Sequence, residues 1–311
     1  MRVLHGDPTT WEAGGGHVVT IGVFDGVHLG HQHVIGLTRA AADRSGLAAG
    51  LITFDRHPLT VLAPEHAPQL LTSLERRLEL FEEAGLDTIG VLPFVDAVRT
   101  LSPENFTVRI IVMGFGARCV VVGEDFRFGQ DRAGNVEVLA RIGTEMGFEV
   151  EPVALLSSDG PISSSRIRTL VAAGEVEAAA AALGRPFELR GRVVAGQGRG
   201  GRTGPSTIGL MVPGNLVTPG SGAYAVWAAV GDGEDVAGVA SIGTAPAPKG
   251  AGQEIEVRFL DRVAAADAAS VGLRFIGRVG AGPPSADPPH PAADAEAVAA
   301  EARRLLGRRA P

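Results

Sequence analysis

The chain has 311 residues, among them 43 Gly and 20 Pro, and its 28 Lys+Arg against 35 Asp+Glu give a formal charge of −7. With 45% hydrophobic and 20% charged residues the balance is globular, which excludes wholesale disorder, and the length suggests two domains that each bury a core. The negative charge argues against a broad basic surface for nucleic acid, and the single cysteine, Cys119, excludes an intrachain disulfide and a four-cysteine zinc site.

In chain order, His17–Phe24 reads as a buried strand that ends in the turn Asp25–Gly26. A helix follows from about Gly30 to Arg44, then a second strand, Ala48–Phe54. Thr72 and Glu75 have capping-box spacing and open an amphipathic helix that Gly85 terminates. Next come the strand Thr88–Pro93, a helix from about Ser102, the strand Cys119–Gly123, a helix over Val136–Met146 and the strand Phe148–Pro152. Strands alternating with helices predict parallel βαβ units in an open, Rossmann-like α/β sheet whose ligands bind at the C-terminal strand edge. Near Pro186 the pattern changes to short β-branched runs: Arg190–Val194, Tyr224–Val230, Val236–Ile242 and Ile255–Leu260. These predict a smaller antiparallel β-barrel. Ala281–Pro291 reads as a Pro-rich linker and Ala292–Arg309 as a C-terminal helix. The expected domains are therefore 1–186 and 187–311. No basic-then-apolar leader pattern opens the sequence, and no apolar run reaches membrane-spanning length. A cytoplasmic protein without a membrane or nucleic-acid partner is expected.

The sharpest local feature is Gly22–Val23–Phe24–Asp25–Gly26–Val27–His28–Leu29–Gly30–His31, at the end of the first strand and the start of the first helix. Two imidazoles bracket a glycine where backbone amides and the helix dipole favour an anion. Gly30 would let a phosphate approach closely, and His28 and His31 could donate to triphosphate oxygens as charge builds on them. A His-x-Gly-His in this context is the signature of adenylyl-transferring nucleotidyltransferases. The plainer alternatives are two surface histidines beside a turn, or a metal pair, for which no carboxylate cluster stands at ligand spacing.

A second cluster, Ser163–Ser164–Ser165–Arg166–Ile167–Arg168, places hydroxyls at a helix start, with Arg166 and the weaker candidate Arg168 able to neutralise phosphates. Alone it would read as an ordinary helix cap. A third, Gly123–Glu124–Asp125–Phe126–Arg127–Phe128–Gly129, follows a strand. There Asp125 and Phe128 sit where a ligand belongs, although the phenylalanines would also serve as core. Phe54–Asp55–Arg56–His57–Pro58 occupies the corresponding edge after the second strand.

Together these segments resemble the bacterial bifunctional riboflavin kinase/FMN adenylyltransferase family, also called prokaryotic FAD synthetase. The matching stretches are Gly22–His31, Thr53–Pro58, Leu71–Asp87, Gly123–Gly129 and Ser163–Arg168, continued by Leu183–Pro186 and Gly191–Val194. The resemblance implies transfer of AMP from ATP to FMN, giving FAD and pyrophosphate, with Mg²⁺ accompanying ATP. By the same resemblance His28, His31 and Arg166 act at the transferring phosphoryl group. Gly22, Phe24, Asp25, Gly26, Gly30, Ser163, Ser164 and Arg168 form the nucleotide side, and Phe54, His57, Asp125 and Phe128 are candidates for the flavin side. Arg56 departs from the proline usual in the family.

The second half departs further from the family's riboflavin kinase. The stretch corresponding to the family's Gly-Phe-Pro-Thr-Ala-Asn is Gly201–Arg202–Thr203–Gly204–Pro205–Ser206–Thr207–Ile208–Gly209–Leu210, which reads one residue short. Thr207 is the candidate survivor, while Gly209 has no side chain to hold a metal. Pro246–Ala247–Pro248 replaces Pro-Thr-Phe, and no Asp-Leu-Tyr-Gly follows Asp261. Glu256 still matches the catalytic glutamate, yet one base does not replace metal and phosphate contacts that act as a unit. The expectation is an FMN adenylyltransferase whose kinase activity is lost. The alternatives are the full bifunctional enzyme, a transferase for an altered flavin or nucleotide, and a non-catalytic sensor.

Overall fold

A computed structural model describes residues 1–154, 162–194, 207–231, 235–243, 252–261, 269–279 and 292–308. The expected linker 281–291, residues 201–206 before Thr207, and Pro246–Ala247–Pro248 lie outside the described residues. The chain forms two units. One comprises Met1–Pro68 and Ser73–Ser163, the other Gln69–Thr72 and Ser164–Pro311.

The first unit contains β1 (Arg2–His5), β2 (His17–Ile21), α1 (Leu29–Ser45), β3 (Ala48–Phe54), α2 (Leu59–Leu62), α3 (Leu74–Glu83), β4 (Thr88–Leu92), α4 (Asp96–Arg99), α5 (Pro103–Phe106), a π-helical segment Thr107–Gly114, β5 (Ala117–Gly123), α6 (Val136–Met146) and β6 (Glu149–Val153). The six strands form one parallel sheet in the order β1-β4-β3-β2-β5-β6. Every residue of β2 and of β4 is buried, as expected for strands covered on both faces. On one face α1 and α3 bury Ile35, Ala41, Leu80 and Phe81 against Val18, Leu51 and Val121. On the other, Phe106, Ile110, Ile111 and Leu139 pack against Val19, Ile52 and Val120. The helices change face between β4 and β5. The crevice therefore opens beyond the C-terminal ends of the neighbours β2 and β5, where such sheets hold their ligands.

Several boundaries differ from the sequence reading. The first strand stops at Ile21 instead of Phe24, because Phe24 turns to φ 51° and its ring folds back over Gly22. Helix α3 is capped by Ser73 and not by Thr72: the Ser73 hydroxyl accepts from the Arg76 amide at 3.2 Å. The helix expected from Ser102 is one α-helical turn that passes into the wider π-helical segment. Strand β1, which adds an edge beside β4, carried no recognised signal in the sequence.

The second unit holds α7 (Ser164–Ala173), α8 (Val176–Leu183), β7 (Phe187–Val194), β8 (Thr207–Val212), β9 (Gly222–Val230), β10 (Asp235–Ile242), β11 (Gln253–Phe259), β12 (Ser270–Val279) and α9 (Ala292–Arg308). The strands close an antiparallel barrel in the order β10-β11-β8-β7-β12-β9. Phe187, Leu189, Leu210, Tyr224, Val226 and Phe275 are buried, each at 1% exposure or less, and alternate with more exposed neighbours along β7. Ala302 and Leu306 of α9 cover Ala225, Val239 and Ile276. Leu70 joins this unit by pairing with the β8–β9 connection, through its amide to the Asn215 carbonyl (2.7 Å) and its carbonyl to the Val217 amide (2.9 Å).

Candidate active site

The turn between β2 and α1 collects most of the expected nucleotide-side residues. After Ile21 the Gly22 amide donates to the Ile52 carbonyl (3.0 Å), and the Val27 amide closes a turn onto the Phe24 carbonyl (3.1 Å). Phe24 and Val27 both hold positive φ, 51° and 40°, a conformation that costs about 1–3 kcal/mol for residues with a Cβ. Buried packing offsets that strain: Phe24 meets Phe81 of α3 edge-on at 5.9 Å and His31 at 5.1 Å. A Cβ at Gly22 would stand 3.1 Å from the Phe24 ring, so a side chain there would push that ring by a few tenths of an ångström.

His28 is the N-cap of α1. Its Nδ1 accepts the His31 amide at 3.3 Å. That bond fixes the tautomer of the neutral ring: Nδ1 is the acceptor, so Nε2 carries the proton and is the donor. The His28 and His31 rings stack at 3.6 Å with planes 17° apart. Two imidazoles so placed form one surface at the positive end of a helix, beside the crevice between β2 and β5. The open space at Gly30 is taken by His28 itself, because a Cβ there would lie 3.1 Å from Cε1 and 3.2 Å from Nδ1 of that ring. The same Cβ would stand 3.9 Å from the Ile162 carbonyl, so the chain returns to this turn just before Ser163. Ser164, the exposed Arg166 and the half-buried Arg168 lie on α7, in the second unit.

The flavin-side candidates are spread along the edge. Phe54 ends β3 and meets Phe94 edge-on at 5.6 Å. Asp55 accepts the Phe94 amide at 2.9 Å and pairs with Arg56 at 2.8 Å. These bonds to Arg56 and Phe94 outweigh burial and hold the Asp55 carboxyl below its usual range. Arg56 is thereby directed to its neighbour. His57 Nδ1 accepts the Leu59 amide at 3.2 Å at the start of α2. Asp125 is exposed beyond β5, whereas Phe128 is buried between Phe126 and Phe106, with Gly134 against its ring.

Sequence reasoning missed Phe94, Phe81 and above all Arg77. Arg77 is only 1% exposed, and its guanidinium donates to the Val23 carbonyl (2.7 Å), the Thr53 hydroxyl (3.3 Å) and the Phe54 carbonyl (3.3 Å). Its signals were its place in the helical pattern of α3, one turn before Phe81, and in the matching stretch Leu71–Asp87, but an arginine there reads as surface.

In the barrel, Thr207 opens β8 and is half-buried, while Glu256 is exposed on β11 directly opposite Gly209. A Cβ on Gly209 would stand 2.9 Å from a carboxylate oxygen of Glu254, which reaches over that position.

A nucleotidyltransferase-like α/β sheet followed by a riboflavin kinase-like barrel is the class that this architecture defines, and known proteins divide the chain in the same way. A family model described as FAD synthetase matches residues 11–166, and one described as riboflavin kinase matches residues 183–279. A Pseudomonas fluorescens protein named bifunctional riboflavin kinase/FMN adenylyltransferase is 37% identical, covering 79% of each chain. Its namesakes from Escherichia coli K12 (35%, 79% of each) and Bacillus subtilis 168 (36%, 74% of this chain and 72% of that one) agree. The chain belongs to the bifunctional riboflavin kinase/FMN adenylyltransferase family. A solved structure described as a macrolide-efflux protein from Streptococcus pneumoniae covers 100% of both chains at TM-score 0.85 and 24% identity, a likeness of fold alone. Among the described residues no helix is long and apolar enough to cross a membrane.

Proposed function

We propose that the first unit transfers AMP from ATP to the phosphate of FMN, giving FAD and pyrophosphate. One observation carries the reading: a tautomer-fixed His28 stacked on His31 at the amino end of α1, beside the crevice where the sheet changes direction. A phosphate oxygen of FMN attacks the α-phosphorus, the new P–O bond forms, and the bond to the β-phosphate bridging oxygen breaks. Charge builds on the non-bridging α-oxygens. The His28 Nε2–H and the His31 ring are the donors for that charge. No covalent nucleophile is needed, since positioning and charge stabilisation suffice. Among the described residues no cluster of three or more His, Cys, Asp or Glu surrounds a metal position. Mg²⁺ would accompany the triphosphate and neutralise phosphate charge there.

For the barrel, the reading supported by Gly209 is that phosphorylation of riboflavin is lost, because the position facing Glu256 lacks a metal-holding side chain. The full bifunctional activity is the second reading, favoured by the riboflavin kinase model over residues 183–279 and by Thr207 and Glu256 on neighbouring strands. Two incubations of the full chain with Mg·ATP, one with FMN and one with riboflavin, separate them by chromatography of products. FAD from FMN alone supports both parts of the proposal. FMN or FAD from riboflavin overturns the loss of the kinase, and absence of FAD in both overturns the transferase.

A further inference from the structure

The mechanism needs two substrates held on two different loops. The nucleotide side is the turn after β2, and the flavin-side candidate Phe54 sits at the end of β3. One buried side chain ties these loops together. Arg77 projects from α3 beneath both, donating through Nη1 to the Val23 carbonyl and the Thr53 hydroxyl and through Nη2 to the Phe54 carbonyl. The Thr53 hydroxyl in turn donates to the Val23 carbonyl at 3.1 Å, so a small network spans the gap. Asp25, 1% exposed within the nucleotide turn, and Asp55 in the flavin-side loop supply the opposing charge, against the burial that lowers the Arg77 pKa. One helical turn on, Phe81 supports Phe24, which meets His31.

A merely structural arginine would be an odd choice here. Burying a guanidinium is costly, and Arg77 Nε has no hydrogen-bond partner, an arrangement that an apolar residue of similar volume would avoid. What an apolar residue cannot do is grip carbonyls from two loops at fixed spacing with a planar fork.

We propose that Arg77 is a positioning residue that sets the distance between the nucleotide turn at Val23–His31 and the flavin-side loop at Phe54–His57, and so the alignment of the attacking phosphate with the α-phosphorus. This rests on the adenylyl-transfer reading above. The test compares Arg77→Met, Arg77→Lys and Leu80→Ala, the last removing buried volume from the same helix while leaving the three Arg77 hydrogen bonds in place. Full-length proteins are assayed for kcat and KM with FMN and Mg·ATP at a temperature where all are folded. Backbone hydrogen exchange is measured over residues 24–27 and 55–57.

Misalignment acts on the transition state, so Arg77→Met is expected to lower kcat roughly 10–100-fold while each KM moves less than about 5-fold. Arg77→Lys keeps the charge but not the fork, so kcat stays reduced at least about 5-fold. Leu80→Ala is expected to melt lower yet keep kcat within about 2-fold. Exchange should quicken in both loops in Arg77→Met and in neither in Leu80→Ala. Wild-type kcat in Arg77→Lys or Arg77→Met overturns the proposal, as does a loss in Leu80→Ala equal to that in Arg77→Met. If Arg77→Met does not fold, the Arg77→Lys result decides by the same criterion. If the wild-type chain makes no FAD, the transfer reading fails by itself. Exchange then decides whether Arg77 couples the loops: loosening of both supports the coupling, and loosening of one or neither overturns it.

Discussion

Gly30→Ala separates stability from catalysis at this site. The added methyl would stand 3.1 Å from His28 Cε1 and 3.2 Å from Nδ1, where ordinary contact begins at 3.4 Å. The ring must therefore recede by about 0.3–0.5 Å, given the usual carbon–carbon optimum. It has little room to do so, since His31 stacks on it at 3.6 Å and the His31 amide holds its Nδ1. Losing that cap costs about 1 kcal/mol. Replacing glycine by alanine within the first turn of α1 returns about 0.5–1 kcal/mol. Net stability should stay within about 1 kcal/mol of wild type. Catalysis has no such compensation: a displaced donor lowers kcat roughly 10–100-fold, because transfer tolerates errors of only a fraction of an ångström. Thermal unfolding and steady-state FAD formation, measured on the same preparations, read both quantities. A variant with wild-type stability and kcat within 2-fold would refute the placement of His28 as the donor.

Two further outcomes follow from the core of the first unit. His17 is 2% exposed beside Phe115 and Thr88, and burial pushes its pKa below the ordinary histidine value. The unfolded chain takes up its proton first, so this contribution to stability is intact above about pH 6.5 and is lost as pH falls below it. The slope is at most about 1.4 kcal/mol per pH unit. Urea melts from pH 7.5 to 5 should show a shallower decline in His17→Phe, and equal slopes would contradict the assignment. Gly90 in β4 touches aromatic rings: a Cβ there would fall 2.5 Å from Trp11 and 2.7 Å from Phe115. Gly90→Ala should cost about 1–3 kcal/mol and lower the melting temperature by about 2–12 °C. Gly36→Ala, with nothing within 4 Å, should raise stability slightly, and a Gly90→Ala variant as stable as Gly36→Ala would refute the packing.

Much of this fold was legible because its signals are local. The wholly buried run His17–Ile21, the His28–Gly30–His31 spacing and the helical stretch Val136–Met146 are each read within a few residues. What escaped depends on partners far along the chain. Phe24 reads as a strand residue, and only the ring of Phe81, more than fifty positions later, explains why it turns out of the sheet. Arg77 sits in the charged run Glu75–Arg76–Arg77, where Arg76 behaves as the pattern suggests, pairing with Glu79 and Glu83 near the surface. Its neighbour points inward, and only the carbonyls of Val23 and Phe54 reveal the reason. Thr72 and Ser73 compete for one cap, and it is Ser73 that takes the extended helix-entry conformation and accepts the Arg76 amide. In the barrel, β8 begins in a glycine-rich stretch that hides its alternation, and β12 carries a bulge at Phe275–Gly277 that breaks the period of two.

The most direct measurement follows the phosphorus. The full chain is incubated with FMN and Mg·ATP labelled at the α-phosphorus, and in parallel with ATP labelled at the γ-phosphorus. Adenylyl transfer puts the α-label in FAD and the γ-label in pyrophosphate, with both signals reduced at least about 100-fold in His28→Ala, in line with losing a preorganised transition-state donor. An α-label that never enters a flavin product, or FAD formation undiminished in His28→Ala, would contradict adenylyl transfer at the His28–His31 turn.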